Sequence, residues 1–110
     1  MTKFKVVINR TTYTNVYLMK GTYPNGGIGL FLMDDRGFLC MLTVSIDFLP
    51  VNTVALDIIE LPEAEQIVKD LGIGKPTGCI RYEKPYEYPL YELDMDAVDK
   101  ICRVKEAVYD

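Results

Sequence analysis

A chain of 110 residues and 12.5 kDa has room for one hydrophobic core, so residues 1–110 are read as a single domain that buries roughly 65% of its unfolded surface and needs no disulfide staples. With 49% hydrophobic and 25% charged residues it is not a disordered chain, and its apolar stretch at Ile28–Leu32 is far short of the ~20 residues of a membrane span. The net charge of −4 repels nucleic acid and anionic membrane at long range, and the absence of histidine removes the commonest general base and metal ligand.

The first strand is read at residues 3–9, where Phe4, Val6 and Ile8 alternate with Lys3, Lys5 and Asn9. A second, at 12–20, is rich in Thr, Tyr and Val; Tyr13, Tyr17 and Met19 share one parity, Val16 and Leu18 the other. Tyr23-Pro24-Asn25-Gly26-Gly27 has the residue types of a turn. Ile28–Met33 is a third strand, apolar on both faces. Asp34-Asp35-Arg36-Gly37 closes it into a hairpin with Gly37 at the left-handed position. The fourth strand runs from about Phe38 to Ile46. Its even positions, Phe38, Cys40, Leu42, Val44 and Ile46, are all apolar, so the even face is expected in the core along its full length.

Val54–Ile59 reads as a fifth strand. Pro62, Glu63 and Glu65 suit the first turn of a helix, and Ala64, Ile67, Val68 and Leu71 fall at helical spacing before Gly72 as the C-terminal cap. Lys75-Pro76-Thr77-Gly78 is expected to be a turn. Cys79–Glu83 and Tyr86–Leu93 are two more strands, with Pro85 and Pro89 favouring an edge. Asp94 or Asp96 caps a last helix whose stripe of Val98, Ile101, Cys102 and Val108 is interrupted by Lys105. Without regular βα alternation the order implies α+β: a compact antiparallel sheet of about seven strands, curled into a partly open barrel, with one or two helices.

The run from Gly21 to Gly37, containing Tyr23-Pro24-Asn25-Gly26-Gly27-Ile28-Gly29 and Asp34-Asp35-Arg36-Gly37, together with Leu42-Thr43-Val44-Ser45, resembles a known family. Its members are small proteins with a domain of unknown function, found in bacteria, phages and conjugative elements. Leu71-Gly72-Ile73, Pro76-Thr77-Gly78 and a strand ending near Leu93 are similar to the same pattern, so the resemblance spans roughly residues 16–93. Ser45 stands where Asn is more usual, and residues 94–110 lie beyond the pattern. The resemblance implies an accessory protein of bacteria or their mobile elements. The family has no assigned activity, so no site residue is carried over.

Charge is uneven. Residues 1–50 hold five basic and three acidic groups, residues 51–110 seven basic and thirteen acidic. Cys40, Cys79 and Cys102 are scattered; Cys40 alternates with apolar neighbours and is read as a buried free thiol. Three thiols and no export signal predict a reducing cytoplasm.

Gly26-Gly27-Ile28-Gly29 precedes a strand rather than a helix, so it is a turn and not a phosphate loop. Glu92, Asp94, Asp96 and Asp99 form the densest acidic cluster. Counted from Glu92, the sixth place is Ala97 and the twelfth Arg103, which fails the calcium-loop pattern, and helix capping explains the acids. No cofactor or metal is expected, and no nucleophile and base are suggested by spacing, so catalysis is disfavoured without being excluded.

Two sets of residues remain as a surface for a partner. Tyr82, Tyr86, Tyr88 and Tyr91 interleave with Glu83, Glu87 and Glu92. Phe31, Met33, Leu39 and Met41 occupy the second face of the hairpin, where either a helix covers them or they form an apolar patch for a dimer or partner. The expected function is a non-enzymatic protein-binding module, its partner another protein or a second copy, with neither nucleic acid nor membrane contacted directly. Two alternatives are a small-ligand or hydrolytic site in a barrel mouth and an acidic inhibitor of a nucleic-acid-binding host protein.

Overall fold

In the computed structural model, which describes residues 2–102, strands dominate. They are β1 Phe4–Ile8, β2 Thr11–Thr22, β3 Ile28–Asp34, β4 Gly37–Met41, β5 Thr43–Val44, β6 Thr53–Leu56, β7 Gly74–Glu83 and β8 Tyr86–Leu93. Two helices, α1 Ala64–Leu71 and α2 Met95–Cys102, complete the α+β fold. The strands form two antiparallel sheets, β1-β2-β3-β4 and β5-β6-β8-β7, that do not close into a barrel. The expected fourth strand is two strands, one in each sheet.

Leu42 is the corner between them. Its N–H donates to Leu30 O (2.9 Å) in the first sheet, and its own carbonyl accepts from Asp57 N (2.9 Å) beside the second. The side chain of Leu42 is fully buried at this crossing. The next residue, Thr43, is also buried, and its Oγ1 accepts from Leu30 N at 3.1 Å. Both backbone groups released by the change of sheet therefore find partners.

The main core draws on both sheets and both helices. Val16, Leu18, Leu30 and Leu32 come from the first sheet, Val54, Leu56, Tyr91 and Leu93 from the second, Ala64, Ile67 and Val68 from α1, and Val98 and Cys102 from α2. Each fully buried leucine contributes roughly 1.5–3 kcal/mol relative to exposure. A smaller cluster of Ile46, Ala55 and Tyr88, with Val44, Leu49 and Leu90 against it, lies on the opposite face of the second sheet.

Local chemistry explains the ends. Gly37 has φ +120°, as its turn requires, while Asp34 Oδ1 accepts from Arg36 N at 2.9 Å. That backbone donor, aided by the Arg36 guanidinium, holds the Asp34 carboxyl below its ordinary pKa despite its burial. α1 ends on Gly72 as expected. Glu63, at its start, makes no capping bond; its Oε2 accepts instead from Asn9 N at 2.9 Å. Asp94 caps α2 through Ala97 N (3.1 Å). The expected continuation to Lys105 and Val108 lies outside the described residues.

Three expectations are corrected by bulges. Phe4 pairs with Val16 but Val6 with Tyr13, so β2 carries an extra residue near Asn15, which sits at φ 56°. Tyr13 therefore packs on the core, unlike Tyr17 and Met19. In β4, Cys40 opposes Leu32 but Phe38 opposes Met33, which leaves Leu39 as the extra residue. The even face is thus not core along its length: Leu39 and Cys40 both pack against the core, while Phe38 is 60% exposed. Cys40 is half-buried rather than buried; its thiol is pushed up to about 11 by desolvation and then by the charge of Glu63. Lys75–Gly78 is not a turn between elements but part of β7, whose pairing with β8 shifts between Pro76 and Ile80.

Candidate functional site

The outer face of the first sheet is built by strand parity. Val16, Leu18, Leu30 and Leu32 point to the core, so the residues between them point away. Cross-strand register then sets six side chains in two rows. Met19 opposes Phe31, which opposes Met41; Tyr17 opposes Met33, which opposes Phe38. The Phe31 and Phe38 rings lie 6.0 Å apart at 41°. Phe38 is the most exposed, and the other five are half-buried. None of the six belongs to or packs against either core cluster.

No helix covers this face among the described residues. α2 lies against β2 through core residues Val98 and Cys102, with Asp99 ion-paired to Lys20 on the inward parity, and α1 lies against β7. The helical cover that was one expectation for Phe31, Met33, Leu39 and Met41 is therefore corrected. Leu39 leaves the set because the bulge turns it to the core, and Phe38 takes its place. Among the described residues charge enters at the margin: Lys3 and Lys5 on the β1 side, with Asp35 of the hairpin end 3.7 Å from Lys3, while the Arg36 guanidinium turns inward to Asp34 and Tyr13. Apolar Met, Phe and Tyr at the centre with charge at the rim is the anatomy of an interface.

At the other end of the face the Tyr23–Gly29 motif does structural work. A Cβ on Gly29 would stand 3.2 Å from Tyr23 Cζ, so the ring lies on a glycine that cannot be replaced without displacing it. Tyr23 Oη shares a 2.7 Å hydrogen bond with Thr43 Oγ1. Asn25 Oδ1 accepts from Gly27 N (2.8 Å), and its Nδ2 donates to Asp47 Oδ1 (2.8 Å). The turn thereby ties the first sheet to β5 and the loop after it. Between them is a cleft of about 340 Å³ lined by Tyr23, Asn25, Val44, Phe48 and Thr53 among others. Its only ionisable lining group is Tyr23, whose pKa is raised chiefly by burial, away from the range of a general base.

The four tyrosines of 82–91 do not form one surface. Tyr91 is fully buried, and its hydroxyl donates to Glu65 Oε1 at 2.7 Å. Burial, then that bond, pushes its pKa up to about 12. Tyr88 is buried in the small cluster, its pKa also raised mainly by desolvation. Tyr86, on the same face as Tyr88 with rings 6.3 Å apart, is exposed. Tyr82 opposes Glu87 on the other face and is exposed. Two rings are thus structural, and the two exposed ones point to opposite sides of the hairpin.

The acids are largely engaged locally. Asp94 caps α2, Asp99 pairs with Lys20, and Glu92 lies 4.0 Å from Lys75. Among the described residues no three Cys, Asp or Glu gather as a metal site, and no helix is long and apolar enough to cross a membrane. Sequence reasoning missed Tyr17, Met19 and Phe38 in the outer face. The parity of Tyr17 and Met19 was visible, whereas the bulge that moves Phe38 has no local signal. No protein-family model, curated protein or solved structure matches this chain.

Proposed function

We propose that the protein is a non-enzymatic binding module that docks a protein partner on the outer face of β2, β3 and β4. One observation carries this reading: six apolar side chains in register, three of them aromatic, with no element of the described chain over them. The partner is a protein surface with an apolar centre and an acidic margin. Lys5 makes no ion pair among the described residues, and residues 1–50 carry the positive half of the chain's charge. The cleft beside Tyr23 supports binding over hydrolysis, because no carboxylate lines it. The resemblance over residues 16–93 supports an accessory role in bacteria or their mobile elements, and the free thiols of Cys40, Cys79 and Cys102 support a reducing cytoplasm.

The test pairs Phe38→Asp with Met41→Glu. The double variant should keep its melting temperature and lose the proteins that co-purify with the wild type from the organism that encodes it. An identical co-purifying set would overturn the assignment of this face.

A further inference from the structure

The second sheet carries a different kind of surface where the cover of its outer face ends. Tyr88 opposes Arg81 across β7 and β8, and Tyr86 opposes Glu83, so these four side chains share one face. On the other side of β8, Thr53 opposes Glu92 and Ala55 opposes Leu90. Carried on by two residues, that register sets Asp57 beside Tyr88 on the same face. Asp57 Oδ1 accepts from Glu60 N at 3.2 Å, which folds Glu60 back towards the same place. The carboxylates of Asp57, Glu60 and Glu83 thus gather round two tyrosines.

Tyr88 is only 8% exposed, held in the small cluster with Ile46 and Ala55. Its hydroxyl nevertheless makes no hydrogen bond among the described residues and is not sealed from solvent. The phenol is held above its ordinary pKa first by burial and then by the negative groups around it, Asp57 foremost, with Glu60 and Glu83 after it. Beside it stands the exposed Tyr86 ring, its centroid 6.3 Å from that of Tyr88 and tilted by 56°. Two tilted rings in a negative potential are a seat for a cation, which is attracted to a ring face within about 6 Å of its centroid. The chain does not fill the seat. Arg81 donates from Nε to Glu83 Oε2 at 3.2 Å. Among the described residues the one cation over a tyrosine ring is Arg36 at Tyr13, so Arg81 stacks on neither Tyr86 nor Tyr88. Asp57 and Glu60 have no ion-pair partner among the described residues.

We infer that the Tyr86–Tyr88 face takes a lysine or arginine side chain from a basic segment of a protein partner. Charge selects the occupant: this face sets three carboxylates against one guanidinium, in a half of the chain that holds thirteen acidic and seven basic groups. Openness selects its source. Two rings make two walls, too few to enclose a free small cation, so the cation arrives on a chain that makes contacts of its own. The Tyr88 hydroxyl has lone pairs to accept from the incoming ammonium or guanidinium. The surface shares no residue with the outer face of the first sheet and does not depend on the binding role proposed there.

Fluorescence anisotropy of a labelled octalysine peptide, titrated with the full chain at low salt, tests the inference. The wild type should bind it. Asp57→Asn/Glu60→Gln should weaken binding at least about tenfold. Asp70→Asn/Asp96→Asn removes the same charge from the two helices and should change it less than about twofold. Tyr86→Ala should weaken it about two- to fivefold, the worth of a cation–π contact at an exposed site. Tyr88→Phe keeps the packing and should weaken it about two- to tenfold, the worth of one hydrogen bond. A wild type that does not bind, equal weakening by the two charge-removing pairs, or a Tyr86→Ala protein that binds like the wild type would overturn the inference. Displacement of the peptide by tetramethylammonium at the peptide's own concentration would give the face to a small cation instead. Self-association of the wild type that Tyr86→Ala abolishes would give it to a second copy; either result also overturns the inference.

Discussion

The outer faces of the two sheets treat their apolar residues in opposite ways. On the second sheet, Val44, Ala55, Tyr88 and Leu90 are covered by Ile46 and Leu49, which the loop after β5 folds back over them. On the first sheet, six residues of similar character have nothing from the described chain above them. The same loop that closes one face also leaves Phe48 and Val51 bare at its tip. The chain thus supplies cover for one sheet and, among the described residues, none for the other, and the proposed docking role rests on that difference.

The comparison breaks most severely at the corner both sheets share. Leu42→Ala should cost roughly 2–5 kcal/mol, because it opens a cavity at a fully buried site. Urea unfolding would measure it, and a loss below about 1 kcal/mol would mean that the corner is not packed as described. Next, Tyr88→Ala should cost about 3 kcal/mol by emptying the covered face, whereas Phe38→Ala on the open face should stay within about 0.5 kcal/mol. Equal losses at the two positions would erase the distinction between the faces. Gly37→Val should cost on the order of 1–3 kcal/mol, since a β-branched residue is strained at φ +120°.

A smaller effect follows from Tyr91, which joins the second sheet to α1 through Glu65. Its phenol is raised from 10.0 to about 12. Below the unfolded value both states are neutral and the stabilisation is complete. As pH rises from 10.0 towards about 12 the unfolded chain ionises first, so stability falls through that window. Tyr91→Phe should flatten the alkaline limb of a stability-against-pH curve; an unchanged limb would show that the phenol does not carry it.

The α+β class, both helices, the Gly37 hairpin and the Gly72 cap were legible because each rests on residues adjacent in the chain, and Asp94 was one of two candidates to cap α2. The two sheets were not, since nothing local marks Leu42 as a corner in a run where every even residue is apolar. Phe31, Met33 and Met41 were found by parity alone. Leu39 and Phe38 exchanged roles at a bulge that only the pairing with β3 reveals. The tyrosines of 82–91 looked alike in sequence. Their environments are set by distant partners, Glu65 for Tyr91 and Ile46 for Tyr88, which local pattern does not contain.

The openness of the first sheet's outer face is tested most directly by peroxide oxidation of the free protein, followed at each methionine by mass spectrometry. Accessible thioethers oxidise fastest, and Met95, half-buried like Met19, Met33 and Met41 but packed against the core as they are not, serves as the internal reference. Met19, Met33 and Met41 should all oxidise faster than Met95 in the monomer. Rates at Met33 and Met41 as slow as that of Met95 would mean that the face is covered, and would contradict its assignment as a docking surface.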